Sequence, residues 1–322
     1  MTQSATAPAA GRHPFDILGD VLETLRFRGT LFFRSQLAAP WGMALQAVPA
    51  PRFHIALQGD CVVGAGDRKA PIRLREMEVL LLPHGDMHWI ADHPGRKLVP
   101  SERAGRACEL GRPLFQEGRI TNKLMCGIVH YETAMSHPLL DALPQVMHFT
   151  GIGAEEPLWT TIRLIDTEME RGIASPNALV DRLTEVLFLQ LLYRYVGEHP
   201  ELPGFLLALS DRRLRRLLEL IHRHPARPWT LESLGREVGM SRATVARRFG
   251  QVVGMPPLQY LSNWRLMKAH HLVSQSSLSL EAIAAAVGFG GGSALSRAFR
   301  RRYGYTPTQL RRGAVPKPEG SG

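Results

Sequence analysis

Thr230-Leu231-Glu232-Ser233-Leu234, Val238-Gly239, Arg247-Arg248-Phe249, Gly254, Pro257 and Gln259 return further along the chain as Ser279-Leu280-Glu281-Ala282-Ile283, Val287-Gly288, Arg297-Ala298-Phe299, Gly304, Pro307 and Gln309. The offset is 49 residues up to the glycine of the turn and 50 after it. Two copies are too few for a solenoid; they point to two small helical units used as a pair. Thr230 and Ser279 can N-cap a first helix, with Glu232 and Glu281 in the acid-favouring first turn. Gly239 and Gly288 suit a left-handed C-cap. Ser241 can cap a second helix whose Val245, Phe249 and Val252 mark a buried face. Leu295, Phe299 and Tyr303 play that part in the second copy. Arg242, Ala243, Ala246 and Arg247 point the other way, as do Ser293, Ser296, Arg297 and Arg300. Two helices, a glycine turn and a basic outer face predict a helix-turn-helix arrangement.

Charge supports the pairing. Residues 211–313 carry 18 Lys and Arg against 5 Asp and Glu, while the whole chain has a net charge of +10. The basicity is local to the repeats, as expected for binding nucleic acid. A membrane surface could use such charge, but no lone amphipathic helix or lipidation signal accompanies it. Between the copies, Pro256-Pro257-Leu258 to Gln275 predicts one helix with Leu258, Leu261, Ala269 and Leu272 on a single stripe. At ~1.5 Å per residue it spans ~27 Å, a strut that sets two recognition helices near the ~34 Å of one DNA turn. Arg265 lies on the stripe and is expected to be a structural ion-pair partner.

This C-terminal stretch resembles the AraC/XylS family of bacterial transcription regulators. The resemblance is carried by Leu231-Glu232-Ser233-Leu234, Val238-Gly239-Met240-Ser241, Arg248-Phe249, Gly254, Pro257, Tyr260-Leu261, Arg265-Leu266, Val287-Gly288-Phe289, Ser296-Arg297-Ala298-Phe299-Arg300 and Thr306-Pro307. It implies that Arg242, Ala243, Ala246 and Arg247 face one major groove, and Gly292, Ser293, Ser296 and Arg297 the next. Arg247 and Arg297 suit guanine O6 and N7, and Arg248, Arg300, Arg301 and Arg302 suit phosphate. Gly290-Gly291-Gly292 departs from the family, whose residues there are polar. Such glycines let backbone approach phosphate but cannot read a base. Double-stranded DNA is the expected partner; family habit adds activation, with RNA polymerase as a further partner.

The texture before residue 150 is different. Residues 1–14 are small and polar and are expected to be disordered. After a short helix at 15–25 come short runs at 30–36, 42–48, 53–58, 61–64, 78–82, 88–91 and 123–131, punctuated by Gly, Pro and Asp, which predict a small barrel or sandwich. Pro83-His84-Gly85-Asp86-Met87-His88 is similar to the second cupin motif, with Phe53-His54 in the place of the first. The resemblance implies the cupin-like sensor domain of a subset of AraC-type regulators. His54 and His88, with His84 as a third, are then candidate metal ligands or pocket residues. Two histidines without a third ligand make a poor catalytic site. Trp41 and Trp89 either wall an effector pocket or fill the core. Cys61, Cys108 and Cys126 fit a reducing cytoplasm rather than a disulfide framework. Oxidant-responsive relatives make Cys126 a redox candidate, against the plainer reading of a buried small hydrophobe.

Helices at 157–171 and 176–196 follow, the second more apolar than one packing face requires. By resemblance they form a homodimer interface; packing on the barrel alone is the alternative. The expectation is thus an α+β chain: a cupin-like sensor domain at 15–150, a helical pair at 151–200, a linker at 201–210, a double helix-turn-helix domain at 211–313, and a disordered tail at 314–322. It is read as a cytoplasmic regulator answering to a small molecule or oxidant, not an enzyme, with no cofactor and no membrane span. The rivals are a metal-binding cupin enzyme or redox sensor fused to a DNA-binding domain, and a non-specific architectural DNA protein.

Overall fold

In a computed structural model, which describes residues 16–66, 68, 70–110, 112–131, 137–171, 178–199 and 201–314, the short runs become two five-stranded sheets. The segment 1–14 and the tail beyond Ala314 lie outside the described residues. A first helix α1 (Ile17–Thr24) is capped by Asp16. Strands β1 (Arg28–Ala38), β2 (Gly42–Leu45), β3 (Arg52–Gln58), β4 (Cys61–Ala65), β5 (Ile72–Leu74), β6 (Val79–Leu82), β7 (His88–Ala91) and β8 (Val99–Pro100) follow. Helix α2 (Ser101–Glu109), strand β9 (Ile120–His130), helix α3 (Pro138–Asp141) and strand β10 (Met147–Phe149) complete the sheet region. One sheet runs β1-β9-β3-β6-β10 and the other β5-β4-β7-β2-β8. The sequence reading missed β5, β8 and β10, which have two or three residues each and too little period to register.

Alternation sorts the first sheet into two faces. Ala56, Leu80, Leu82, Leu124 and Cys126 point into the space between the sheets. Phe53, Ile55, Val79, Leu81, Met125 and Val129 point outward, against helices. This is why Val79-Leu80-Leu81-Leu82 reads as an unbroken apolar run: both faces are covered. The cover is α1 with α4 (Pro157–Glu170) and α5 (Ala178–Glu198), which pack on each other and bury Ile162, Ile165, Leu187, Phe188 and Leu191.

The expected linker at 201–210 is not an open connection. It holds α6 (Gly204–Ser210), whose Phe205, Leu206 and Ala208 are buried. Beyond it stand α7 (Arg212–Arg223), α8 (Leu231–Val238), α9 (Arg242–Val253), α10 (Pro257–Gln275), α11 (Leu280–Val287), α12 (Gly292–Tyr303) and α13 (Pro307–Arg311). The strut α10 has two apolar sides rather than one stripe. Tyr260, Leu261, Trp264 and Met267 join the core of the first unit, and Leu266, Ala269 and Val273 join the second. Leu258, expected on the stripe, is exposed. Arg265 is structural, as expected, but its partners are carbonyls rather than an acid: Nε donates to Pro225 O at 2.7 Å and Nη2 to Arg227 O at 2.9 Å. No helix among the described residues is long and apolar enough to cross a membrane.

Candidate nucleic-acid interface and barrel site

Each helix-turn-helix unit is set by its caps. Thr230 and Ser233 form a reciprocal capping box at the start of α8, and Gly239 closes the helix at φ 63°. Ser241 Oγ then accepts from Thr244 N at 3.2 Å and starts α9. Val245, Phe249 and Val253 turn inward, with Val252 only half-buried. Arg242, Ala243, Arg247 and Arg248 are exposed and Ala246 is half-buried. Arg248 is not wholly given to solvent, since it forms an ion pair with Asp211, the N-cap of α7.

The second unit differs at its turn. Gly288 ends α11 at φ 83°, and Gly291, the N-cap of α12, sits at φ 140° and offers no capping side chain. The cap comes from elsewhere. Glu281 Oε2 accepts from Gly292 N at 2.8 Å, so the acid of the α11 first turn serves the start of α12. A Cβ on Gly292 would lie 2.8 Å from Glu281 Oε1. Gly292 is buried. Its backbone N–H is therefore committed and does not present itself to a phosphate, contrary to the expectation for this glycine. Ser293, Arg297, Arg300 and Arg301 are exposed, and Ser296 is half-buried.

In the barrel, His54 and His88 meet. Their Nε2 atoms are 2.8 Å apart, and His54 Nδ1 is 2.9 Å from Cys126 Sγ. The outer partners fix every proton. His88 Nδ1 lies 2.7 Å from Asp86 O, which can only accept, so Nδ1 carries the hydrogen and Nε2 accepts. His54 Nε2 then donates to His88, and the Cys126 thiol donates to His54 Nδ1. Burial holds His88 down at about 4 and His54 well below the ordinary histidine value. It pushes the Cys126 thiol well above its ordinary value. This neutral chain leaves the redox candidate Cys126 enclosed and protonated, the form least suited to attack an oxidant.

His84 is not part of this group. It is exposed, with Nε2 2.9 Å from Leu143 O. No cluster of three or more His, Cys, Asp or Glu able to hold a metal occurs among the described residues. Two imidazoles bonded to each other, with a thiol on the far ring nitrogen, do not fit the converging three-ligand set that a cupin metal needs. Trp41 is core: it is 1 % exposed, and Nε1 donates to Asn122 Oδ1 at 3.0 Å. Trp89 does not wall the interior. It follows His88 directly on β7, so it must face the other way, and its ring covers the site of the missing Gly64 side chain. The interior residue that sequence reading missed is Arg52, two positions before His54 on the same strand face.

A paired helix-turn-helix domain joined to a sheet-built barrel defines a DNA-binding transcription regulator with a cupin-like N-terminal domain. Comparison with known proteins agrees. A cupin family profile matches residues 16–197, and a helix-turn-helix domain profile matches residues 234–313. The chain is 28 % identical over 310 residues to an AraC-like transcription regulator of Streptomyces antibioticus, covering 94 % of this chain and 100 % of the relative. It is 28 % identical over 304 residues to an HTH-type regulator of Haemophilus influenzae, covering 92 % and 98 %. It is 26 % identical over 307 residues to the regulator AlkR of Acinetobacter baylyi, covering 92 % and 99 %. The chain belongs to the AraC-type transcriptional regulators with an N-terminal cupin domain.

Proposed function

We propose that this regulator reads two successive major grooves of double-stranded DNA with α9 and α12, and that a small molecule bound in the cupin barrel biases how the two helices are presented. The observation that carries the reading is the pair of exposed arginine faces held on one rigid strut. Arg242, Ala243, Ala246 and Arg247 face one groove, and Ser293, Ser296 and Arg297 face the next. Arg300 and Arg301 hold phosphate, and Arg248 joins them when DNA competes with Asp211. Base reading falls mainly to Arg247 and Arg297, since the alanines offer only apolar contact.

The active form is a homodimer. On α5, Leu179, Val186 and Tyr193 are exposed at seven-residue spacing, and Leu164 is exposed on the neighbouring α4. A second copy covering that stripe would remove an apolar surface from water. The protein works in the cytoplasm, without enzymatic turnover, and activates through contact with RNA polymerase. Effector control requires only that the ligand prefer one of two arrangements of the chain.

Sequencing of genomic fragments retained by the full-length protein at physiological salt, against random competitor DNA, tests this. The expected result is a motif with two sub-sites about one helical turn apart. Diffuse retention lost at moderate salt would mean that only phosphate is read.

A further inference from the structure

Arg52 lies inside the barrel wall at 7 % exposure. Its Nε and Nη1 are enclosed and have no hydrogen-bond partner among the described residues. Cross-strand pairing sets it between Leu82 and Ile128, one interior step from His54, which pairs with Leu80 and Cys126. Leu80, Leu82 and Cys126 belong to the interior core, so Arg52 projects to the same side. Its charge acts on His54, His88 and Cys126.

Among the described residues, no acid forms an ion pair with that charge. The carboxylate that acts on it, Glu102 in the first turn of α2, is exposed and forms no ion pair with it. The histidine chain cannot help, because both ring lone pairs already accept, His88 Nε2 from His54 and His54 Nδ1 from the Cys126 thiol. A guanidinium does not shed its proton inside a protein. A buried ion without a partner is strongly unfavourable, and an apolar residue would serve the core better. The sign of the charge also rules against a cation between His54 and His88. Helix α2 closes this end: Pro100 pairs with Ala44, next to Leu45, which faces His88, and Ala104 packs on the interior core.

We infer that the barrel end beneath α2 is a receptor for a small oxyanion group, a carboxylate or an inorganic phosphate, held on the Arg52 guanidinium. This deepens the effector reading above and rests on it for its regulatory meaning, though not for binding itself. An anion on Arg52 would join the two sheets through α2 and the His88 strand.

The test is thermal melting of the full-length protein with acetate, benzoate or inorganic phosphate, against chloride at matched ionic strength, in wild type, Arg52→Met and Arg52→Lys. Wild type is expected to show a saturable rise in melting temperature that Arg52→Met loses and Arg52→Lys keeps in weakened form. A response to acetate and benzoate alone names a carboxylate, and a response to phosphate alone names phosphate. Without added anion, Arg52→Met is expected to melt no lower than wild type, because it removes an unpaired buried charge. A lower melting point would show the guanidinium already paired and overturn the proposal. So would the absence of any shift with all three anions, or a shift that persists in Arg52→Met. Operator affinity measured in the same buffers separates the two readings: an Arg52-dependent shift with unmoved affinity keeps the anion site and removes its role as effector site.

Discussion

Gly239 and Gly288 hold the same place in the two helix-turn-helix units and meet different surroundings. Both take left-handed backbone, at φ 63° and 83°. Around Gly239 the space is open, whereas a Cβ on Gly288 would lie 2.7 Å from Ala226 Cα and 2.9 Å from Ala226 O. Gly239→Ala should therefore cost about 1 kcal/mol, the conformational penalty alone. Gly288→Ala should cost clearly more, since backbone must move; equal losses in urea unfolding would refute the contact argument. The arginines act at the same scale. Arg247→Ala and Arg297→Ala should each cost ~1–3 kcal/mol on a specific site and relax base choice at one half. Titration on specific and random DNA decides this, because a loss common to both would make these arginines phosphate contacts.

At the scale of elements, the two units use one acid differently. Glu281 caps α12 through Gly292 N, while Glu232, its counterpart, is exposed and only loosely paired with Arg236 at 3.7 Å. Glu281→Ala should cost about 1 kcal/mol, as for a lost N-cap, and should speed exchange of the Gly292 amide. Glu232→Ala should stay within about 0.5 kcal/mol. Matching losses in the two variants would show that the acids serve only their own helix dipoles. Most elements were legible beforehand: the helix-turn-helix helices through their caps and glycine stops, and the longer strands through alternation. The role of Gly290–Gly292 was not, because the acid that explains Gly292 lies 11 residues earlier and nothing in the spacing signals it.

At the scale of the whole molecule, the cores do not follow the domains. The outer layer of the barrel, α1, α4 and α5, shares one core with α6, α7, α9 and half of α10, whereas α11 and α12 have their own. A polar chain crosses the shared core. His137 Nδ1 accepts from Leu139 N, so His137 Nε2 donates to Tyr260 OH at 3.0 Å. Tyr260 donates to His222 Nε2 at 2.7 Å, and His222 Nδ1 donates to Asp20 at 2.8 Å. Lys268 also reaches Asp20. Tyr260→Phe should leave two buried ring nitrogens unpaired and cost ~1–3 kcal/mol; a change under 0.5 kcal/mol in urea unfolding would mean that the chain adds nothing to the joint.

The same interior sets the response to acid. His88 and His270 are held at about 4, and His54, His137 and His222 also below the ordinary value of 6.5, burial being the largest cause in each. Below pH 6.5 the unfolded chain takes up protons that the folded chain refuses, so stability present above 6.5 is lost as pH falls toward 4. His88 and His270 should each contribute on the order of 3 kcal/mol of that loss by pH 4. Asp20, held below 3.8 against burial by His222 and Lys268, acts only at lower pH. Urea midpoints at pH 7, 5.5 and 4.5 should fall in order; a flat series would show that these histidines can take up protons without unfolding.

The double helix-turn-helix, the barrel and the face on which the arginines stand follow from the order of residues alone, because helix caps and the periods of 3.6 and 2 are local properties of the chain. Even the outward turn of Trp89 was implied by its place beside His88. It took the packed chain to show that His84 stands apart from His54 and His88, that Arg265 binds carbonyls, and that Arg52 Nε and Nη1 are enclosed with no hydrogen-bond partner among the described residues. Those outcomes depend on which groups distant strands and helices bring within hydrogen-bond range, and burial then fixes their charge.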